Sequence, residues 1–157
     1  MTARTEAIKV RKAEPADADA VASIHLGARQ RYVAFAPMAH SEVEVRAWIR
    51  DRVIPAGLTW VMDDCGAIVA YISLAIRPDG GWIDQLYTHP DSTSRGHGGT
   101  LLALAKRKLP PPIRLYTFQQ NVGARRFYER AGFVVEQLSD GQTNEEKCPD
   151  VLYRWPA

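Results

Sequence analysis

The chain has 157 residues, enough for one domain with a substantial core, and its 46% apolar and 24% charged content is that of a soluble globular protein. A formal net charge of +2 is too small to imply a nucleic-acid partner. No apolar run approaches the roughly 20 residues of a membrane span and the N-terminus has no apolar signal core, so the expectation is a single cytoplasmic domain over residues 1–157 with no membrane partner.

Residues 1–7 are polar and expected to fray. Ile8-Lys9-Val10-Arg11 alternates apolar and charged residues, which predicts a strand with one exposed face. Glu14-Pro15-Ala16-Asp17 opens a helix, with proline in the first turn and acids at its N-terminus, and Ala20, Val21, Ile24 and Ala28 form its apolar stripe. Residues 29–40 read as irregular and hold Tyr32, Phe35, Pro37 and His40. Ser41-Glu42-Val43-Glu44 is a capping box for a second helix carrying Val45, Trp48, Ile49 and Val53, which ends before Pro55 and Gly57. Tyr32, Phe35 and Trp48 either line a pocket near these helices or belong to the core.

Residues 59–62 and 67–74 are predicted strands joined by the hairpin turn Asp63-Asp64-Cys65-Gly66, and Arg77 to Gly81 is a further turn. A strand follows from Trp82 and ends at Pro90. Asp91 to Thr100 is a loop with glycines at 96, 98 and 99, and a helix then carries Leu101, Leu104 and Ala105 on one side with basic residues in its last turn. Pro110-Pro111-Pro112 stops it. Strand 113–118, helix 121–131 with Gly132 as its stop, strand 133–136, a polar acidic loop over 138–150 and strand 151–155 complete the chain. Cys65 and Cys148 lie far apart and are expected as reduced thiols, and no His, Cys and Asp cluster has the spacing of a metal site.

Two stretches carry chemistry. A strand, a glycine-rich loop and a helix N-terminus together make a phosphate site, because unpaired backbone N–H groups and the helix dipole converge there and glycine lets the backbone approach the ligand. Gly99-Thr100-Leu101 lacks the Lys-Ser/Thr of an ATP-binding P-loop, and Gly96-His97-Gly98-Gly99-Thr100-Leu101 lacks the third glycine of a dinucleotide fold. The second stretch is Asn121-Val122-Gly123-Ala124-Arg125-Arg126-Phe127-Tyr128-Glu129-Arg130-Ala131-Gly132-Phe133, in which Asn121 is a good N-cap and Ala124, Phe127 and Tyr128 share a helix face.

The first stretch resembles motif A of the GNAT superfamily, the acyl-CoA-dependent N-acetyltransferases, which reads R/Q-x-x-G-x-G/A. It fits either as Thr93-Ser94-Arg95-Gly96-His97-Gly98, with Thr93 in place of Arg or Gln, or as Arg95-Gly96-His97-Gly98-Gly99-Thr100. The first register is favoured because it keeps the usual distance from the strand end at Tyr87-Thr88-His89-Pro90. The second stretch matches the motif B pattern N-x-x-A-x-x-F-Y-E-x-x-G-F at every fixed position. The resemblance runs from about Ile8 to Trp155 and implies an α/β (α+β) fold with a mixed, mostly antiparallel twisted sheet flanked by helices.

The resemblance further implies acetyl-CoA as co-substrate and an amine acceptor, either a small molecule or a peptide, and leaves a homodimer open. Residues Thr93, Ser94, Arg95, Gly96, His97, Gly98, Gly99 and Thr100 would cradle the pyrophosphate of coenzyme A. Leu86, Tyr87 and Thr88 would hold the pantetheine arm through backbone groups, joined by Asn121 and Tyr128. Tyr128 would be the general acid and Asp84 the general base, Asp84 sharing a strand face with Leu86 and Thr88 by the two-residue period. A solvated or ion-paired Asp84 is the competing reading. His97 is expected as a phosphate neighbour or a solvent-facing residue, and the 138–150 loop as a rim selecting a cationic acceptor or as a solvated connection. An acyl-CoA-binding sensor without catalysis, or a toxin or antibiotic-modifying acetyltransferase, would share the same motifs.

Overall fold

The computed structural model of the protein describes residues 7–93 and 95–156. The frayed start expected over residues 1–6, and Ser94, lie outside the described residues.

The element order is β1 (Lys9–Lys12), a 3-10 turn (Pro15–Asp17), α1 (Ala18–Tyr32), α2 (Glu42–Trp48) continued by a π turn (Ile49–Val53), β2 (Thr59–Asp64) and β3 (Ala67–Arg77). Then come β4 (Gly80–Thr88), a 3-10 turn (Pro90–Ser92), α3 (His97–Lys108), β5 (Ile113–Phe118), α4 (Val122–Arg130), β6 (Val134–Ser139) and β7 (Asp150–Trp155). The strands form one seven-stranded sheet in the order β1-β2-β3-β4-β5-β7-β6, with β4 and β5 parallel and every other pair antiparallel. This is the mixed, mostly antiparallel sheet expected.

Local chemistry accounts for most boundaries. Cys65 and Gly66 both take positive φ, 52° and 93°, as a two-residue hairpin loop between antiparallel strands requires. Ser41 accepts from the Glu44 amide and Glu44 bonds back to Ser41, so the capping box at α2 is formed. α1 runs to Tyr32, past the expected break at residue 29, and its last turn carries Arg29 and Arg31, which suit a helix C-terminus. β3 runs on to Arg77, which pairs with Gly80, so the turn expected over 77–81 is reduced to Pro78 and Asp79.

Two cores sandwich the sheet. On one face α3 and α4 cover Ile72, Leu74, Ile83, Ile113, Leu115 and Tyr153. On the other, α1 and α2 cover Val61 and Tyr71 with Val21, Ile24 and Ile49. Tyr32, Phe35 and Trp48 are exposed by 43%, 37% and 39% and so are not core residues.

Candidate active site

β4 and β5 are hydrogen-bonded through only two residue pairs, Gly81 with Ile113 and Trp82 with Arg114. Beyond them the strands part and leave a wedge. Its closed end is a tight joint: the Gly81 amide donates to the carbonyls of Pro110 and Pro112, and a Cβ on Gly80 would run into the Pro112 carbonyl. Gln85, Leu86 and Tyr87 line the wedge from β4, Thr117 and Phe118 from β5, and Asn121, Ala124 and Tyr128 from the α4 segment.

The β3–β4 register shifts at this level, with Ser73 opposite Gln85 and Leu74 opposite Ile83, so Asp84 is the extra residue of a β-bulge. The bulge breaks the two-residue alternation, which corrects the expected geometry. Leu86 packs into the α3-side core, whereas Asp84 lies on the Trp82 and Arg77 side and does not share a face with Leu86 and Thr88. Both Asp84 oxygens accept from Arg77, each at 3.0 Å, in an exposed ion pair. Asp84 still borders the wedge and the trough that adjoins it.

β4 leads through the Pro90–Ser92 turn to the N-terminus of α3. Gly96 is the N-cap and adopts φ 80°, a left-handed conformation that favours glycine. Helix α3 begins at His97, so Gly98, Gly99 and Thr100 lie in its first turn and not in the preceding loop as expected. The first hydrogen bond of the helix runs from the Thr100 amide to the Gly96 carbonyl at 3.1 Å, so the amides of His97, Gly98 and Gly99 have no acceptor within the helix. No acidic residue occupies this first turn.

Side chains here have other duties. Thr93 donates to the Pro90 carbonyl and Thr100 to that of Gly96. His97 is only 5% exposed, which corrects the solvent-facing expectation: its ring is turned inward while its amide stays on the helix end. A Cβ on Gly98 would come within 3.2 Å of the Phe127 ring, so this glycine marks the close approach of α3 to α4 and its Cβ would meet protein first. A Cβ on Gly99 would meet open space.

Asn121 caps α4, its Oδ1 accepting from the Ala124 amide at 3.2 Å. At the other end Gly132 takes φ 94°, the left-handed stop that the sequence expectation assigned to it. Between them Tyr128 is buried, its ring packed edge-on against Phe127 and Phe133 at 5.1 and 5.7 Å. Among the described residues no side chain or backbone group hydrogen-bonds its hydroxyl, which borders the wedge lined by Asn121 and Leu86. Burial, with the nearby Tyr87, pushes its phenol pKa above the usual range.

A cavity of about 420 Å3 lies under α1 and α2 and shares Gln85 with the wedge. His25 and Arg29 line it from α1, Trp48 and Glu44 from α2, and Glu145 and Glu146 from the β6–β7 connection. The acidic connection thus reaches the rim of this cavity, where His40 sits between Glu145 at 3.1 Å and Glu44 at 3.4 Å. Those two carboxylates raise the His40 pKa, Glu145 most. His25 is 6% exposed, with Nδ1 2.7 Å from the Tyr71 hydroxyl, and burial, helped by the charge of Arg29, lowers its pKa to about 4. Sequence reasoning missed His25 and Arg29. Their signal was a polar pair four residues apart beside the apolar stripe of α1.

The comparisons with known proteins agree with this geometry. Residues 25–133 match the family described as the acetyltransferase (GNAT) family. Over 77 residues the chain is 34% identical to the mycothiol acetyltransferase of Kineococcus radiotolerans, covering 46% of this chain and 25% of that protein. The match therefore spans about a quarter of the length of this curated relative. A GNAT-family acetyltransferase from Bacillus cereus superposes with a TM-score of 0.76 at 16% identity, covering 96% of this chain and 98% of that one. The PaiA N-acetyltransferase of Thermoplasma acidophilum, in complex with coenzyme A, gives 0.73 at 22% identity, covering 97% and 100%. These two likenesses are of fold, and the family match, which covers more than half of the chain, places the protein in the acetyltransferase (GNAT) family of acyltransferases.

Proposed function

We propose that the protein moves an acetyl group from acetyl-CoA to a primary amine of a small molecule or peptide by direct attack, with Tyr128 as general acid and Asp84 as general base. The observation that carries this reading is the wedge between β4 and β5, which has Tyr128 on its wall, the open end of α3 beyond it and the α1–α2 cavity beside it.

The residues present suit the donor. The amides at the start of α3, without an acceptor among the described residues, suit an anion, and Thr93, Arg95, Gly96, His97, Gly98, Gly99 and Thr100 would surround a pyrophosphate there through their backbone; Ser94, the remaining member of the expected cradle, lies outside the described residues. Arg126 and Arg130 line the adjoining groove between α3 and α4 and add positive charge. Leu86, Tyr87 and Thr88 present the β4 edge that has no strand partner, and Asn121, whose oxygen is spent on its cap, keeps its amide hydrogens for the pantetheine arm. That the Thermoplasma acidophilum relative is in complex with coenzyme A supports the same donor here.

Acetyl-CoA supplies an acyl group activated as a thioester. An acceptor amine of pKa ~10 is mostly protonated at pH 7, which costs about 4 kcal/mol unless a base takes the proton. Asp84 receives it through water: Arg77 occupies one lone pair on each oxygen and leaves others open. A backbone amide of the β4 edge stabilises the charge that develops on the thioester oxygen. As the C–N bond forms and the C–S bond breaks, Tyr128 gives its proton to the departing sulfur and regains one from solvent. Its burial keeps the phenol protonated at every physiological pH. The acidic rim of Glu44, Glu145 and Glu146 favours a cationic approach to the cavity.

The test is incubation of the purified protein with acetyl-CoA and a panel of amines, reading free thiol and product mass. Amine-dependent thiol release with a singly acetylated product is expected. No release with any amine, together with no acetyl-CoA binding by calorimetry, would sink the reading.

A further inference from the structure

We infer that the acceptor carries a carboxylate as well as its amine, and that Arg29 binds that carboxylate. The inference rests on the proposed acetyl transfer to an amine and names the acceptor class for it.

Arg29 lies in the last turn of α1 and its side chain is only 10% exposed. It lines both the 420 Å3 cavity and the trough that runs from it past Asp84 and Gln85. A guanidinium has five N–H donors, and burying it is costly unless they are matched. Here the matching is partial, three neighbours for five donors. Its Nε donates to the Met38 sulfur at 3.1 Å, and a thioether is a weak acceptor. The nearest carboxylate oxygen, on Glu146, is 3.9 Å from Nη2, beyond hydrogen-bond distance. Tyr87 takes a further hydrogen bond from the guanidinium, which draws its phenol downward although burial raises it overall.

No described buried side-chain nitrogen is sealed off without a partner, so any N–H that Met38, Glu146 and Tyr87 leave over is accessible, and Arg29 lines the cavity. The edge formed by Nε and one Nη is the face that takes a carboxylate with two parallel hydrogen bonds. Met38, which covers this edge, is 44% exposed and can swing aside. The volume suits a small molecule. Gln85 borders both the cavity and the wedge, so an acceptor anchored on Arg29 extends its other end, the amine, toward Tyr128.

The experiment compares α- and ω-amino acids with primary amines of the same length that lack the carboxylate, using the wild type, Arg29→Gln and Glu146→Gln. A charge-assisted bidentate contact corresponds to about 10- to 100-fold in kcat/KM. The wild type should favour the carboxylate series by that factor, mainly through KM. Arg29→Gln should lose the preference, its kcat/KM falling more on the carboxylate series than on the plain amines by that factor. Glu146→Gln, which removes the competing carboxylate, should lower KM for the amino acids. If Arg29 only holds the loop through Glu146, the two variants will behave alike, and the inference fails. Equal turnover of both series by the wild type overturns it while leaving amine acetylation standing. Absence of transfer to every amine in both series overturns both.

Discussion

The two faces of the wedge are built in different ways. On the proposed donor side, the start of α3 and the length of α4 come from two short contiguous stretches, and they meet where Gly98 lies under Phe127. On the proposed acceptor side, His25, Arg29, Glu44, Trp48, Gln85 and Glu145 come from four separate regions of the chain. The donor face is lined by backbone and by an apolar core. The acceptor face is charged and holds a buried histidine. A donor common to a family can be met by backbone and a fixed motif, whereas an acceptor is met by side chains gathered from separate elements.

The largest effect is expected from Tyr128→Phe. If the hydroxyl is the acid, kcat should fall by about two to four orders of magnitude with acetyl-CoA affinity unchanged. Because no described group hydrogen-bonds this hydroxyl, its loss should leave the melting temperature level or slightly higher. A wild-type rate would make Tyr128 a packing residue of the donor face.

Gly99→Glu tests the helix end without disturbing Gly98. The new carboxylate has open space and sits at a positive helix N-terminus, so the fold should gain up to about 1 kcal/mol. The same charge fills the anion site, and acetyl-CoA affinity should fall by about two orders of magnitude, as for two lost charge-assisted hydrogen bonds. Calorimetric titration alongside thermal unfolding reads both. Undiminished affinity would remove α3 from the donor site.

His25 sharpens the acceptor side. In the folded chain its pKa is about 4, against about 6.5 when unfolded. Between those values the unfolded chain binds the extra proton, so stability is complete above about pH 6.5 and is shed as the pH falls toward 4. The loss is about 3 kcal/mol. His25→Gln, which can still pair with Tyr71, should lack this component. Denaturant unfolding across that window decides it, and parallel pH curves for the two proteins would show His25 to be solvated.

The smallest effect is expected at Asp84. Asp84→Asn should lower turnover about tenfold near pH 7, and the defect should shrink toward pH 10, where the amine deprotonates unaided. A defect independent of pH would assign Asp84 to its pair with Arg77 alone.

The cap, stop and apolar face of α4 were readable in the sequence because their determinants are local. An asparagine cap, a left-handed glycine and an apolar face at helical spacing sit within one stretch from Asn121 to Gly132. The sheet class was readable for the same reason. Asp84 was placed on the wrong face because a single-residue bulge inverts every later side chain, and strand periodicity carries no sign of it. The inward His97 and the helical position of Gly98 depend on Phe127 and the core beneath, which are distant in sequence. Arg29 acquires its importance only when Met38, Tyr87 and Glu146 arrive around it.

The short β4–β5 seam has a dynamic consequence. Strands β1 to β4 come from residues 9–88 and strands β5 to β7 from residues 113–155, so the sheet is two leaves, each contiguous in sequence. Two residue pairs and the α3-side core form the spine of this book, and past them its open margin is crossed by side chains of the described residues, Phe35 on Phe118 and His40 on Glu145, and not by β4–β5 pairing. A ligand laid in the gap binds both leaves and adds its binding energy to their closure. Amide hydrogen exchange should therefore slow on ligand binding along Asp84–Thr88 and Tyr116–Phe118, while the outer strand β1 exchanges as before.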